Sequence, residues 1–252
     1  QRSKASIQAL SERYGINPTA AFRLTPRTTL RASYEHFHDA RVADRGVSSL
    51  NGRPVGTDRG TFFGSPTQSP TNATVNFLSS VLEHRLGTRF TIRSRVSYGD
   101  YDKFYQNVFP GAVNAATSTV AISAYNDATT RQNLFSQTDV IATVQTGRLR
   151  HTILMGGEFG HQNTANLRLT GYFSGIGASV TSFNAPLSAP TIALPLQFRA
   201  GATDANNQGV TRVAGVYAQD QVALTSRLEA IVGLRLDRFN ARVTNNRTAA
   251  SF

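Results

Sequence analysis

Neither cysteine nor tryptophan occurs in the 252 residues, and methionine occurs once. Without cysteine there is no disulfide and no thiolate metal site. No apolar run approaches the roughly 20 residues of a transmembrane helix, although transmembrane strands, which need only about 10 alternating residues, stay open. Acidic residues are also scarce, with 15 Asp and Glu against 26 Lys and Arg, giving a formal charge of +11. Patterns for catalysis are thin as well. His151 and His161 stand too far apart for a helical zinc pair, and no G-x-S-x-G elbow occurs. Gly175-Ile176-Gly177 lies in a loop-like stretch without the strand-turn-helix setting of a dinucleotide site. Asp100 and Asp102 read as solvated loop carboxylates, and the sequon Asn72-Ala73-Thr74 carries little weight.

The excess positive charge is explained by where it falls. A nucleic-acid binder gathers Lys and Arg on one face beside stacking aromatics. Here the basic residues are nearly all Arg, and Arg89, Arg93 and Arg95 interleave with Phe90, Ile92 and Val96. That alternation puts guanidinium groups on one side of a sheet and apolar groups on the other. A polar, Arg-rich lumen fits this pattern and nucleic acid does not.

The alternating segments come in pairs. Tight joints at Pro26-Arg27, Gly87-Thr88, Thr146-Gly147-Arg148 and Thr225-Ser226 are separated by long polar connections at roughly 39–72, 106–129 and 165–208. Short turns at one end and long loops at the other are the layout of an outer-membrane barrel. In the first pair Tyr14, Ile16, Ala20, Phe22 and Leu24 share one face, followed after the turn by Leu30, Ala32 and Tyr34. The second pair opens with Val75, Phe77 and Val81 as its apolar face, blurred by Leu78 and Leu82 opposite, and continues from Arg89 to about Tyr105. The third pairs Val140, Ala142 and Val144 with Leu149, Ile153, Met155 and Phe159, and the fourth ends in the stripe Leu228, Ala230, Val232, Leu234 and Leu236. Strands of about 11 to 17 residues exceed the 3 to 10 usual in a soluble β-sandwich, the competing architecture. Tyr34, Tyr98, Tyr101 and Phe104 near the loops, with Phe22 and Phe90 near the turns, are expected as interfacial girdles.

Chain direction sharpens the expectation. The first strand enters a short turn and the last leaves one, so both open on the loop side, whereas a complete eight-stranded barrel would keep its ends at the turns. Residues 1–252 are therefore expected to supply about eight strands of a larger barrel. Phe252 follows Asn245–Ser251, which lacks alternation, and is not expected to close it.

Six stretches carry a family likeness. SYEHFHDARVADRG (33–46), LNGRPVGTDRGTFFGSP (50–66), YDKFYQNVFPGAV (101–113), RQNLFSQTD (131–139), VYAQDQ (216–221) and GLRLDRF (233–239) resemble the barrel of TonB-dependent siderophore receptors, in particular the catecholate branch. The resemblance implies an all-β, antiparallel transmembrane barrel of about 22 strands with long extracellular loops. It also implies a plug domain and TonB box that these residues do not contain, and a place in the outer membrane of a Gram-negative bacterium among lipid and lipopolysaccharide. The implied task is import of ferric siderophores with energy from TonB-ExbB-ExbD. Iron would travel as the chelate, so no cofactor, no metal ligand set and no enzyme activity is expected. A passive porin and a secreted soluble β-protein remain the alternatives.

Ferric catecholates are large, anionic and aromatic, so their capture calls for Arg or Lys and for stacking rings near the external mouth. The candidates are His36, His38, Arg41, Arg45, Arg53, Arg59, Phe62 and Phe63 around the first long connection. Tyr101, Lys103, Phe104 and Tyr105 join them at the start of the second. The alternative for each is packing of the loops or contact with lipopolysaccharide phosphates.

Overall fold

A computed structural model describes residues 11–248 together with Ala250 and Ser251, and Phe252 lies outside them. In chain order the strands are β1 (Glu12–Ile16), β2 (Thr19–Thr25), β3 (Thr28–Val42), β4 (Ser49–Leu50), β5 (Arg53–Pro54), β6 (Pro70–Leu86) and β7 (Phe90–Asn114). There follow β8 (Thr119–Thr146), β9 (Leu149–Tyr172), β10 (Ser182–Pro186), β11 (Gln197–Arg199), β12 (Asn206–Ala223), β13 (Glu229–Asn245) and β14 (Ala250–Ser251). β1 and β2 behave as one strand, since both pair with β3 in a single register. The break falls at Asn17-Pro18 because proline has no N–H for the ladder, while its carbonyl still accepts from Tyr34 N at 3.1 Å.

With β1 and β2 taken together, the long strands β3, β6, β7, β8, β9, β12 and β13 follow one another antiparallel in sequence order, and the sheet they form is open. All the tight joints fall where the alternation breaks. Pro26 starts the first turn, and the Thr25 hydroxyl accepts from Arg27 N at 3.2 Å. Gly87 and Gly147 take the positive φ of the next two turns, 69° and 62°. In the fourth, the Thr225 hydroxyl accepts from Arg227 N and Leu228 N.

Directly paired residues share a face and neighbours along a strand alternate, so the register defines two surfaces. One row runs Phe22, Leu30, Leu82, Ser94, Thr138, Gly157, Val216, Leu236. Rows beside it add Leu86 with Phe90, and Val140 with Met155, Ala218 and Leu234. Leu234 is 83% exposed and Leu236 73%. An apolar belt this large and this bare is stable only against lipid. Along β6 it stretches from Leu78 to Leu86, about 26 Å of strand, close to the ~25 Å apolar band of such barrels. The belt face is the outer surface of a barrel wall.

The register corrects three sequence expectations. On β6 the belt residues are Leu78, Leu82 and Leu86; Val81 sits opposite, in a row with Arg31 and Arg95. Tyr34 and Tyr98 do share the belt's loop-side row, but Tyr101 has the opposite parity and points inward, so it belongs to no girdle. The expected connection at 106–129 is sheet: β7 continues to Asn114, β8 starts at Thr119, and Asp100 and Asp102 lie within β7. Polar pairs do sit on the belt face: Ser94 with Thr138 at 3.1 Å and, near the turn ends, Thr28 with His84 Nδ1 at 2.8 Å and Asp220 Oδ2 with His151 Nδ1 at 2.7 Å.

The opposite, inner face is polar at belt height. Arg93 pairs with Glu83 at 2.8 Å, Tyr217 donates to Asp139 while Gln137 donates to Tyr217, and Arg235 pairs with Glu158 and Asp237. Gly156 makes room for this network, because a Cβ there would lie 2.5 Å from the Tyr217 ring. These are groups that lipid would not tolerate and that a watery or filled lumen would.

Beyond the belt the loops pack rather than trail. The β7–β8 hairpin is flanked on one side by β10, paired with β8, and on the other by residues 62–69. Phe63, Val108, Val120, Ile122, Ala124, Phe173 and Ala185 form a buried core there. The first and third long connections meet where Gly64 pairs in parallel with Thr191, Gly64 N donating to Pro190 O and Ile192 N to Gly64 O. Only glycine fits: φ is +120°, and a Cβ would lie 1.9 Å from Val108 O.

Candidate functional site at the mouth

The inner face changes character above the belt. Three successive rows place Tyr101, Arg131 and Thr164, then Lys103, Thr129 and Asn166, then Tyr105, Asp127 and Arg168 on the same wall. Tyr125 and Phe109 have the same parity and stand one and two steps further out. Arg41 shares the row of Tyr105 through Thr71.

Arg45 reaches this wall from the loop after β3. Its Nη1 donates to Tyr105 Oη at 2.9 Å and to Tyr125 Oη at 3.4 Å, and its guanidinium lies 5.5 Å from the Phe109 ring centre. The hydrogen bond to Tyr105 is the chief reason its pKa sits above the ordinary guanidinium value. Arg168 lies over the Tyr125 ring at 3.7 Å, within cation–π range. The rings themselves are in contact, Tyr105 to Tyr125 at 5.9 Å and Phe109 to Tyr125 at 5.5 Å.

Carboxylates here are held in place. Asp39, 7% exposed, is flanked by Arg13 at 3.3 Å and Arg41 at 3.5 Å. Asp127 accepts from Asn166 and Thr129. Asp204 closes the third connection onto β9. Burial works against its ionisation, but hydrogen bonds from Gly201 N, Thr170 N and Thr170 Oγ1, with the charge of Arg168, outweigh that and keep its carboxyl below the ordinary range. Lys103 is exposed and has no hydrogen-bond or ionic partner among the described residues, and the guanidinium of Arg131 is exposed beside Thr164. Cations therefore outnumber carboxylates on a wall lined with rings, a surface that attracts a large aromatic anion.

The structure divides the sequence candidates. It brings Arg41, Arg45, Tyr101, Lys103 and Tyr105 together on the inner wall. It buries Phe62 and Phe63, 2% and 1% exposed, in the loop packing, where neither is open to a ligand. His36, His38 and Phe104 have belt parity and face outward, with Tyr14 stacked 5.8 Å from His36 and 5.1 Å from His38. Arg53 lies on β5 and Arg59 in the exposed turn that follows it. Phe109, Tyr125, Arg131 and Arg168 were not among the candidates. Alternation through 104–125 was the signal for the two rings, hidden by reading that stretch as a loop.

Comparison with known proteins gives concordant matches. The family model described as TonB dependent receptor-like, beta-barrel, matches residues 14–252. The metal-pseudopaline receptor CntO of Pseudomonas aeruginosa is 24% identical over 241 residues, 93% of this chain and 33% of CntO. The probable TonB-dependent siderophore receptor PiuA of Acinetobacter baumannii is 25% identical over 261 residues, 96% of this chain and 35% of PiuA. The solved PiuA structure superposes with a TM-score of 0.78 at 21% identity, covering 96% of this chain and 37% of that one. The open form of the ferric-catecholate import receptor Fiu of Escherichia coli K12 gives 0.71 at 22%, covering 92% and 38%. The chain spans about a third of the length of the curated relatives it matches.

Proposed function

The chain belongs to the TonB-dependent receptor-like β-barrel family of the Gram-negative outer membrane, and from that premise we propose that the whole protein imports ferric siderophores, catecholate-type, with energy supplied through TonB. The observation that carries the reading is the inner wall at the mouth. Arg45, Arg168, Lys103 and Arg131 supply positive charge around Tyr105, Tyr125 and Phe109. Guanidinium groups and ring faces suit the negative charge and flat rings of a ferric catecholate. Iron arrives inside its chelate, so the protein binds the organic shell and needs no metal ligands of its own. TonB-ExbB-ExbD would act through a plug, and the polar network of Arg93, Arg235 and Tyr217 would border it.

The relatives name more than one cargo, since CntO is a metal-pseudopaline receptor while Fiu is a ferric-catecholate one. A panel of labelled ferric catecholates, ferric hydroxamates and a metal–pseudopaline complex, offered to cells carrying the whole receptor, separates these. Accumulation of the catecholates above the other two supports the proposal; preference for hydroxamate or pseudopaline overturns the cargo class.

A further inference from the structure

On the outer face β3 carries His36 and His38 two residues apart, so both imidazoles leave the strand on the same side. They stand one and two rows beyond the girdle row of Tyr34, Leu78 and Tyr98, above the belt. Each ring is held through Nδ1. His36 Nδ1 lies 2.9 Å from Asn76 Oδ1, and His38 Nδ1 lies 3.1 Å from Thr74 Oγ1, both partners on β6. Tyr34 Oη donates to the same Asn76 Oδ1 at 2.8 Å. An amide oxygen only accepts, so His36 Nδ1 carries the proton and its Nε2 holds the lone pair. Neither Nε2 has a hydrogen-bond partner among the described residues. The Tyr14 ring lies against both imidazoles and keeps them side by side. A histidine pinned through Nδ1 by an oxygen, with Nε2 left open, is the arrangement of a metal ligand whose outer-shell partner is already in place.

The charge around the pair has one sign. In the four outward rows that run from Tyr34 to Ala40, and across to their partners on β1, β6, β7 and β8, there is no Lys or Arg. Glu12, Asp100 and Asp102 are all there. Asp100 accepts from Gln132, while Glu12 and Asp102 have no hydrogen-bond or ionic partner among the described residues. On a chain whose net charge is +11, this patch is negative and attracts a cation.

We propose that His36 Nε2 and His38 Nε2 bind one divalent transition-metal ion, with water completing its shell. Two strand positions span about 6.8 Å, a gap that a pair of imidazoles can close on a single ion. Ligand type selects the metal. Imidazole nitrogen suits Cu²⁺, Ni²⁺ and Zn²⁺ rather than Mg²⁺ or Ca²⁺, and the order of affinities puts Cu²⁺ first. The ion would sit on the opposite side of the wall from Arg45 and Tyr105, so the inference does not depend on what the lumen carries.

Copper(II) is the probe, added to the detergent-purified whole receptor after stripping with a chelator. Calorimetry should show one equivalent bound, and electron paramagnetic resonance should show nitrogen coupling from two imidazoles. The variant H36Q/H38Q should lose that equivalent and its signal while melting at the temperature of wild type, which separates ligation from folding. N76A removes only the acceptor behind His36 and should weaken binding by about 10- to 100-fold. Equal Cu²⁺ binding by wild type and the double variant would overturn the proposal. So would coupling from fewer than two imidazoles, one ion shared by two receptors, or displacement of Cu²⁺ by an equal concentration of Ca²⁺. Uptake of labelled iron chelate is a separate readout, so a failure of the transport reading leaves the copper result intact.

Discussion

Arg45 both fastens a loop and offers charge at the mouth, because one Nη1 serves Tyr105 and Tyr125 while the guanidinium stays exposed. Replacing it with Ala should weaken ferric-catecholate binding by about tenfold, one charge-assisted contact. Replacing His38 should change it less than about twofold, because that ring lies on the outer face against Tyr14. Titration of the purified receptor with labelled chelate compares the two; equal losses would contradict the assignment of faces. Asp204 gives a pH test. A carboxyl whose folded pKa is depressed adds stability above its unfolded value, near 4, and loses it as the pH falls through the lower folded one. Hydrogen exchange at Thr170 N and Gly201 N, both bound to Asp204, should stay protected at pH 5 and open only below about pH 4. Opening already at pH 6 would show that another group holds the third connection.

Strands were legible to the degree that one face met lipid. β13 reads directly, since Ala230, Val232, Leu234 and Leu236 alternate with Glu229, Arg235 and Asp237, and the structure keeps that division. β6 was misassigned because Val75, Phe77 and Val81 are apolar on the inner face, so alternation alone could not choose between two mixed faces; only pairing with Leu30 and Tyr98 does. The extension of β7 and β8 was missed for the opposite reason. Above the belt both faces are partly polar, and Val108, Val120, Ile122 and Ala124 are apolar because loops cover them, not because lipid does. Two rings of the candidate site were hidden with it, since Phe109 and Tyr125 lie in that extension. The belt itself makes a direct prediction. Leu234→Arg, mid-belt and outward, should destabilise the receptor by about 2–4 kcal/mol in lipid, while Ser79→Arg on the inner face should cost little. Denaturant titration in lipid vesicles measures both, and a larger loss at Ser79 would reverse the two faces.

At the scale of the molecule, the sheet described is one wall: open at β1 and β2 on one side and at β13 and β14 on the other, greasy outside and polar within. Two free edges and an exposed belt predict that this stretch expressed by itself aggregates without detergent. A soluble monomer with a cooperative melt, seen by sedimentation and calorimetry, would contradict that. The packed loops make the mouth a built surface above the lumen, which suits the energised import proposed for the whole receptor. The most direct test of that claim is accumulation of labelled ferric catecholate by cells expressing the whole receptor, with and without TonB. Uptake that depends on the receptor and stops when TonB is removed is the predicted result. Uptake that continues unchanged without TonB would make the protein a passive pore and contradict the account.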